Sequence, residues 1–137
     1  MGLNELLGIE FTEASPQIVR AKLPITDDVR QPHGFVHGGT TLALLEAVAS
    51  LGAELNADLS CELPFGVNVN VTHRKSGVDG TLFGEAVLAR EEKSSKGYRK
   101  LFWDVVARND AGDTLSDGVV LCLVVPKEAA TPNPHVK

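Results

Sequence analysis

The chain reads as an α+β domain in which an antiparallel sheet wraps around one long helix. Three observations predict this. Residues 38–55 form a helical stretch that is apolar nearly all round, with Glu46 the only charge between His37 and Ala53. A helix of that kind is a buried one. Two strand-like segments precede it and four follow, with no second long helix to build parallel crossover units. The last connection, Asn109-Asp110-Ala111-Gly112, is a strong hairpin turn, so the strands it joins are antiparallel.

Taken in order, residues 3–8 predict a short helix. Ile9 to Glu13 and Gln17 to Leu23 alternate as two strands around the turn Ala14-Ser15-Pro16. Residues 24–37 form an irregular approach rich in Asp, Pro and Gly. Gly38-Gly39-Thr40-Thr41 opens the helix, which runs to about Leu55, and Asn56 to Pro64 reads as a loop. Strands follow at about 65–75, 81–92, 97–108 and 114–125. Val67, Val69 and Val71 alternate with Asn68, Asn70 and Thr72, a half-buried pattern. Val119 to Val125 is apolar at every position, unlike a strand with one wet face. Its second face asks for another layer, and the supplier this predicts is another copy of the chain. The domain is expected to span 1–126. The polar tail KEAATPNPHVK, 127–137, is expected to be flexible.

The 137 residues, 43% hydrophobic and 23% charged, fit one globular domain with a real core. A net charge of −5 argues against a general nucleic-acid binder but not against a phosphate-bearing ligand. The longest apolar segments fall far short of a membrane span. The start, MGLNELLGIEF, lacks the basic and apolar regions of a signal peptide, so the cytoplasm is the expected compartment. Cys61 and Cys122 stand alone and read as reduced residues. His33 and His37 lack further ligands at zinc spacing, so no metal is expected. A nucleotide-binding loop and a G-x-S-x-G serine are absent from the sequence.

Glu46 has no cation three or four positions away; Leu42, Ala43, Ala49 and Ser50 occupy those places. A carboxylate in such a helix is costly unless hydrogen-bonded, neutralised or paired, and such groups are enriched at functional sites. The competing reading is a structural Glu tied to backbone amides or to a neighbouring subunit. Gly38 and Gly39 leave amides free at a helix start, where they can stabilise a developing oxyanion or simply permit a tight turn. Ser50, one turn beyond Glu46, could hold a water or bond back to the carbonyl of residue 46. Gly38 and Glu46 lie about 12 Å apart along the helix. If both act on one carbonyl, they come from different copies.

The segment QPHGFVHGGTTLALLE, Gln31 to Glu46, closely resembles the motif of hotdog-fold acyl-CoA thioesterases. The branch it most resembles includes Arthrobacter-type 4-hydroxybenzoyl-CoA, phenylacetate-pathway and 1,4-dihydroxy-2-naphthoyl-CoA thioesterases. The resemblance extends over about residues 5–125, including GVNVNVTHRKS. It implies a hotdog fold, with Glu46 as nucleophile or general base and the Gly38 amide polarising the thioester carbonyl. Gln31 and His37 would position that carbonyl, and Ser50 would stand near the attacking water. His33 departs from the Phe or Tyr common in the family at that place, which bears on the shape of the acyl pocket.

The Lys-rich turn Ser94-Ser95-Lys96-Gly97 reads by itself as a solvated hairpin tip. With the resemblance, His73, Arg74, Ser94, Ser95 and Lys96 become the expected contacts to the CoA phosphates and nucleotide. CoA would be part of the substrate, and no separate cofactor is expected. A homodimer is the minimal expected unit and a homotetramer the favoured one, with no nucleic acid or membrane as partner. Three rivals stand beside aryl-CoA hydrolysis. They are a broad-range housekeeping thioesterase for acyl-CoA or acyl-carrier-protein substrates, a hotdog hydratase or dehydratase, and a non-catalytic acyl-CoA binder.

Overall fold

Hairpin chemistry sets most of the strand pairing. The computed structural model, which describes residues 2–129, contains a short helix α1 (Leu3–Leu7) and strands β1 (Glu10–Ala14) and β2 (Ile18–Pro24). A 3-10 turn (Asp27–Val29) and the long helix α2 (Gly38–Asn56) follow. Strands β3 (Glu62–His73), β4 (Thr81–Lys93), β5 (Arg99–Arg108) and β6 (Thr114–Pro126) complete the domain. At the β5–β6 turn Gly112 N–H donates to Asn109 O at 3.0 Å and Gly112 takes φ +84°, a conformation glycine adopts without strain. Asp113 N–H donates to Asn109 Oδ1 at 2.9 Å. The six strands form one antiparallel sheet in the order β1-β2-β4-β5-β6-β3, so β1 and β3 are its edges.

The sheet curves around α2, as the sequence predicts, but covers only one side of it. Leu44, Leu45, Val48 and Ala49 are buried against inward residues of the sheet such as Leu82, Leu101 and Val120. The expectation of a helix buried all round is corrected here. Glu46 is exposed in the single chain, and Leu42, Ala43, Ala47, Ser50 and Leu51 are partly open. One sheet reaches one side of a helix, and the described residues hold no second layer. The outer face of β6 is left in the same state. Val120, Cys122 and Val124 point into the core, while Val119, Leu121 and Leu123 on the other face stay partly exposed.

Strand β3 departs from expectation at both ends and in its middle. It begins at Glu62, not residue 65, and ends at His73, not residue 75. Its partner β6 continues to Pro126, so the ladder runs on to Glu62. Pro64 made this stretch look like a loop, but an edge strand tolerates proline. Between Gly66 and Asn68 the register shifts, leaving Val67 as an extra residue. That bulge turns Val67 out to 49% exposure, while Val69 and Val71 still pack on the core.

The expected flexible tail begins with a second 3-10 turn, Lys127–Ala129, and its remainder, 130–137, lies outside the described residues. Among the described residues no helix is long and apolar enough to cross a membrane.

The contact that seats α2 on the sheet is Gly52 against Trp103. Trp103 is fully buried on β5, and a Cβ on Gly52 would overlap its ring. The indole N–H has no hydrogen-bond partner, a cost of about 1–3 kcal/mol. Burying an aromatic of this size stabilises by roughly 4–6 kcal/mol, so the ring stays inside. Gly52→Ala is expected to destabilise the domain by about 1–3 kcal/mol, because neither the ring nor the helix backbone can give way. Thermal unfolding measures this, and an unchanged midpoint would contradict the packing described.

Candidate active site

The approach to α2 is more ordered than its sequence suggests. His37 N–H donates to Val29 O at 2.8 Å, Gln31 N–H to Phe35 O at 2.8 Å, and Arg30 pairs with Val36 in a bridge. Residues 29–37 therefore form a miniature hairpin. Its tip is Gln31-Pro32-His33-Gly34, with Gly34 N–H donating to Gln31 O at 3.0 Å and Gly34 at φ +92°. Proline second and glycine fourth in a turn is the signal for this tip. The Gln31 side-chain Oε1 accepts from His33 N–H, which fixes the amide and leaves its Nε2 donors without a partner among the described residues. His33 itself is exposed and lines neither groove described below.

His37 caps α2. Its Nδ1 accepts from Gly39 N–H at 2.9 Å, so the neutral ring carries its proton on Nε2. Thr40 N–H donates to His37 O at 2.9 Å. Gly38 N–H has no hydrogen-bond partner among the described residues. Of the two glycine amides at the helix start, one is consumed by the cap and one remains a donor beside the positive end of the helix dipole.

Two grooves flank this start. A cavity of ≈ 300 Å³ is lined by Gln31, Gly38, Thr41, His73, Arg74 and Ser116, among others. His73, expected among the CoA contacts, packs directly on Gly38: a Cβ there would lie 2.9 Å from the His73 Nε2. His73 Nδ1 is hydrogen-bonded to the buried Ser116 Oγ at 2.6 Å. Ser116 thus orients the ring, a role the sequence did not reveal because it depends on the β3–β6 register.

The larger groove, ≈ 560 Å³, runs along the open stripe of α2. Glu46 and Ser50 stand in it with Leu42, Ala43, Ala47 and Leu51, and Leu3 and Phe11 wall it. Behind Glu46 lies the β3 bulge. A Cβ on Gly66 would sit 3.6 Å from the Glu46 carboxyl carbon and 3.7 Å from Ser50 Oγ. Ser50 makes no bond back to the carbonyl of residue 46, so its hydroxyl is available to a water or ligand. Glu46 has no cation partner among the ion pairs of the described residues.

The predicted residues thus fall into two half-sites. Gln31, His37 and Gly38, predicted together, offer donors for an oxygen that gains negative charge, and His73, predicted as a CoA contact, stands beside them. Glu46 and Ser50 offer a base or nucleophile and a hydroxyl. The helix separates Gly38 from Glu46 by about 12 Å.

The expected phosphate contacts also divide. Arg74 pairs with Asp117 at 3.0 Å, near Ser116 at one end of the sheet. Ser94, Ser95 and Lys96 occupy the β4–β5 tip at the other end, where Arg99 pairs with Val124. Ser116 and Val124 on β6 lie about 27 Å apart at strand rise, too far for one nucleotide to touch both sets in one chain. Ser94 is also occupied: its Oγ accepts from Tyr98 N–H at 3.0 Å and closes the turn.

Among the described residues no cluster of His, Cys, Asp or Glu could hold a metal ion. Of the two thiols, Cys61 is exposed and Cys122 buried beneath the groove. Burial first, and the Glu46 charge second, push the Cys122 thiol up to about 12 from an ordinary 9.0. Its folded value lies above its unfolded one, so this contribution to stability is complete below pH 9 and is lost as pH rises toward 12. At pH 8 iodoacetamide is expected to label Cys61 and to leave Cys122 unlabelled until the protein unfolds. Mass spectrometry of native protein carrying label on Cys122 would contradict this placement.

Comparison with known proteins identifies the family of the fold. The thioesterase superfamily model matches residues 33–115. A 1,4-dihydroxy-2-naphthoyl-CoA hydrolase of Listeria monocytogenes is 33% identical over 96 residues, 70% of this chain and 77% of the relative. A proofreading thioesterase of Cronobacter turicensis is 27% identical over 119 residues, 86% of this chain and 85% of the relative. A crystal structure of a Staphylococcus aureus protein, in which one glutamate is replaced by alanine, is similar at TM-score 0.85. It is 28% identical and covers 91% of this chain and 99% of its own.

Proposed function

This chain belongs to the thioesterase superfamily and is a thioester hydrolase with a hotdog fold, and we propose that it cleaves aryl-CoA esters to free acid and CoA at a site shared between two copies. Glu46 acts as nucleophile or general base, with Ser50 beside the attacking water. The Gly38 N–H of the other copy polarises the thioester oxygen as it becomes negative, its Gln31 and His37 position that oxygen, and its His73 stands beside the amide. The observation that carries this reading is the division of the donors and the carboxylate between two half-sites that one helix keeps apart. The 1,4-dihydroxy-2-naphthoyl group is the first candidate for the acyl part, on the likeness to the Listeria hydrolase. CoA enters as part of the substrate, and the unpaired cysteines fit a reducing cytoplasm.

The shared site has a physical route. β3 is an edge strand of twelve residues, Glu62–His73, with Phe65 and Val67 exposed and Glu62 its only acid. A long, weakly charged edge invites pairing with another strand. Two β3 edges related by a two-fold axis run antiparallel. A register that sets Gly66 of one copy across from His73 of the other brings Glu46 and Gly38 from different copies together, twice per dimer. The same pairing carries the β4–β5 tip of one copy toward the Arg74 end of the other. The half-open outer face formed by Val119, Leu121 and Leu123 could then pack two dimers into a tetramer.

Free thiol released from a panel of aryl- and alkyl-CoA and carrier-protein esters tests the activity. Aryl-CoA esters are expected to lead, and equal rates on all classes would favour a broad-range enzyme. Glu46→Gln is expected to lower kcat on the best substrate by at least about a hundredfold while the thermal midpoint is kept. Wild-type turnover in that variant would remove Glu46 from the chemistry.

Mixing tests the sharing. Glu46→Ala and Gln31→Ala chains, each strongly impaired alone, are unfolded and refolded together. In a mixed dimer one site carries both lesions and the other neither, so activity is expected to return. Verified mixed dimers that stay inactive would overturn the shared site.

A further inference from the structure

The base of the miniature hairpin that carries Gln31 is bonded to the next loop through Val36 N–H and Gly77 O at 2.9 Å, and its tip is tied to that loop by one side chain. The Arg30 guanidinium, 20% exposed, reaches three separate segments. Its Nη1 donates to Gly34 O at 2.8 Å, at the hairpin tip, and to Val78 O across the gap to the next loop. Its Nη2 donates to Asp79 Oδ1 at 2.8 Å, and its Nε to Asp27 Oδ1 at 3.2 Å. The two carboxylates are 81% and 101% exposed, so as ion pairs they contribute little to stability. What the guanidinium supplies instead is geometry. Nη1 joins the Gln31–Gly34 turn to the 77–80 loop through two backbone carbonyls while Nη2 and Nε hold Asp79 and Asp27, four acceptors that one ammonium with three donors cannot all serve.

We propose that Arg30 is a positioning residue for thioester hydrolysis, acting through Gln31 by fixing the tip of the 29–37 hairpin against the 77–80 loop. The proposal rests on the assignment of Gln31 to the thioester oxygen. Global folding does not depend on Arg30, because buried Val29 and Val36 anchor the hairpin to the core. Loss of the clamp frees the tip and spreads the Gln31 amide over several positions. Displacement by as little as about 1 Å at such a group can lower turnover up to a hundredfold.

Three readouts test this on the full chain. Arg30→Ala is expected to lower kcat on the best CoA ester about tenfold, with KM changed less, and Arg30→Lys is expected not to rescue it. In a Gln31→Ala background Arg30→Ala is expected to cause no further loss, since the group it positions is gone. Independently of activity, amide hydrogen exchange in Arg30→Ala is expected to speed up at His33 and Gly34 while β5 stays protected.

Unchanged exchange at His33 and Gly34 would overturn the clamp even if no thioester substrate were known. Faster exchange with wild-type kcat, or losses that multiply in the double variant, would overturn positioning through Gln31 while leaving the thioesterase reading intact. Wild-type kcat in Gln31→Ala alone would overturn both the role of Gln31 and the positioning built on it.

Discussion

One helix lies against one curved sheet, and the described residues hold no layer that covers the remaining side of either. Gly52 lets α2 settle onto Trp103, and Gly84 receives Leu44 in the same way, since a Cβ there would lie 2.8 Å from the Leu44 Cγ. This close seating buries the Leu44–Val48 stripe. It equally guarantees that the Leu42–Ser50 stripe faces outward. The groove holding Glu46, the half-exposed outer face of β6 and the unpaired edge of β3 are three consequences of that one missing layer. Each would be a liability in a solitary domain, where exposed apolar stripes and bare edges promote association. Together they form a surface suited to a second copy.

The elements were legible in the sequence wherever their signal is local. Period-two alternation, the Asn109–Gly112 turn and the double glycine before an apolar run gave the strands, the last hairpin and the helix start. Glu46 stood out because a charge interrupts an apolar helix, and that signal holds whether the helix is covered by its own sheet or by another chain. Its exposure in the single chain was not legible, because periodicity reports that a face is apolar but not what covers it. The remaining differences depend on pairing across the chain. The bulge that displaces Val67 appears only against β6, and the Ser116 bond to His73 requires two residues far apart in sequence to share a register. Arg30 had no sequence signal beyond its place next to Gln31, since its acceptors Gly34 O and Val78 O are backbone atoms of any residue type.

The division of labour at the start of α2 also follows from elementary helix chemistry. The first amides of a helix have no partner within it. Here His37 Nδ1 takes the Gly39 amide, Thr40 turns back onto His37 O, and the Gly38 amide is left over. The cap serves a second purpose by excluding one tautomer. With Nδ1 accepting, the neutral His37 ring can only donate from Nε2, so it can steady an anion or a carbonyl but cannot accept from one. Glycine at 38 matters for a different reason from glycine at 39. A side chain at 38 would meet the His73 ring and block approach to the free amide, whereas at 39 it would press on the His37 ring and disturb the cap.

The position of Glu46 gains meaning when the groove is considered closed. In one chain the carboxylate faces water, where the attraction between charges a few ångströms apart is about 1 kcal/mol. Covering the stripe with a second copy would exclude that water. Every dipole aimed at the site would then act in a medium of lower polarisability, and its effect would grow several-fold. In the proposed shared site the donors for a developing oxyanion would arrive with the cover, because the helix start that supplies the free amide would belong to the covering chain. Assembly and electrostatic activation would thus be one event. A half-site alone has a solvated carboxylate or a solvated amide, neither placed to polarise a thioester. The roughly 12 Å of helix between them, an obstacle within one chain, would be the spacing that lets the proposed two-fold pair build two complete sites.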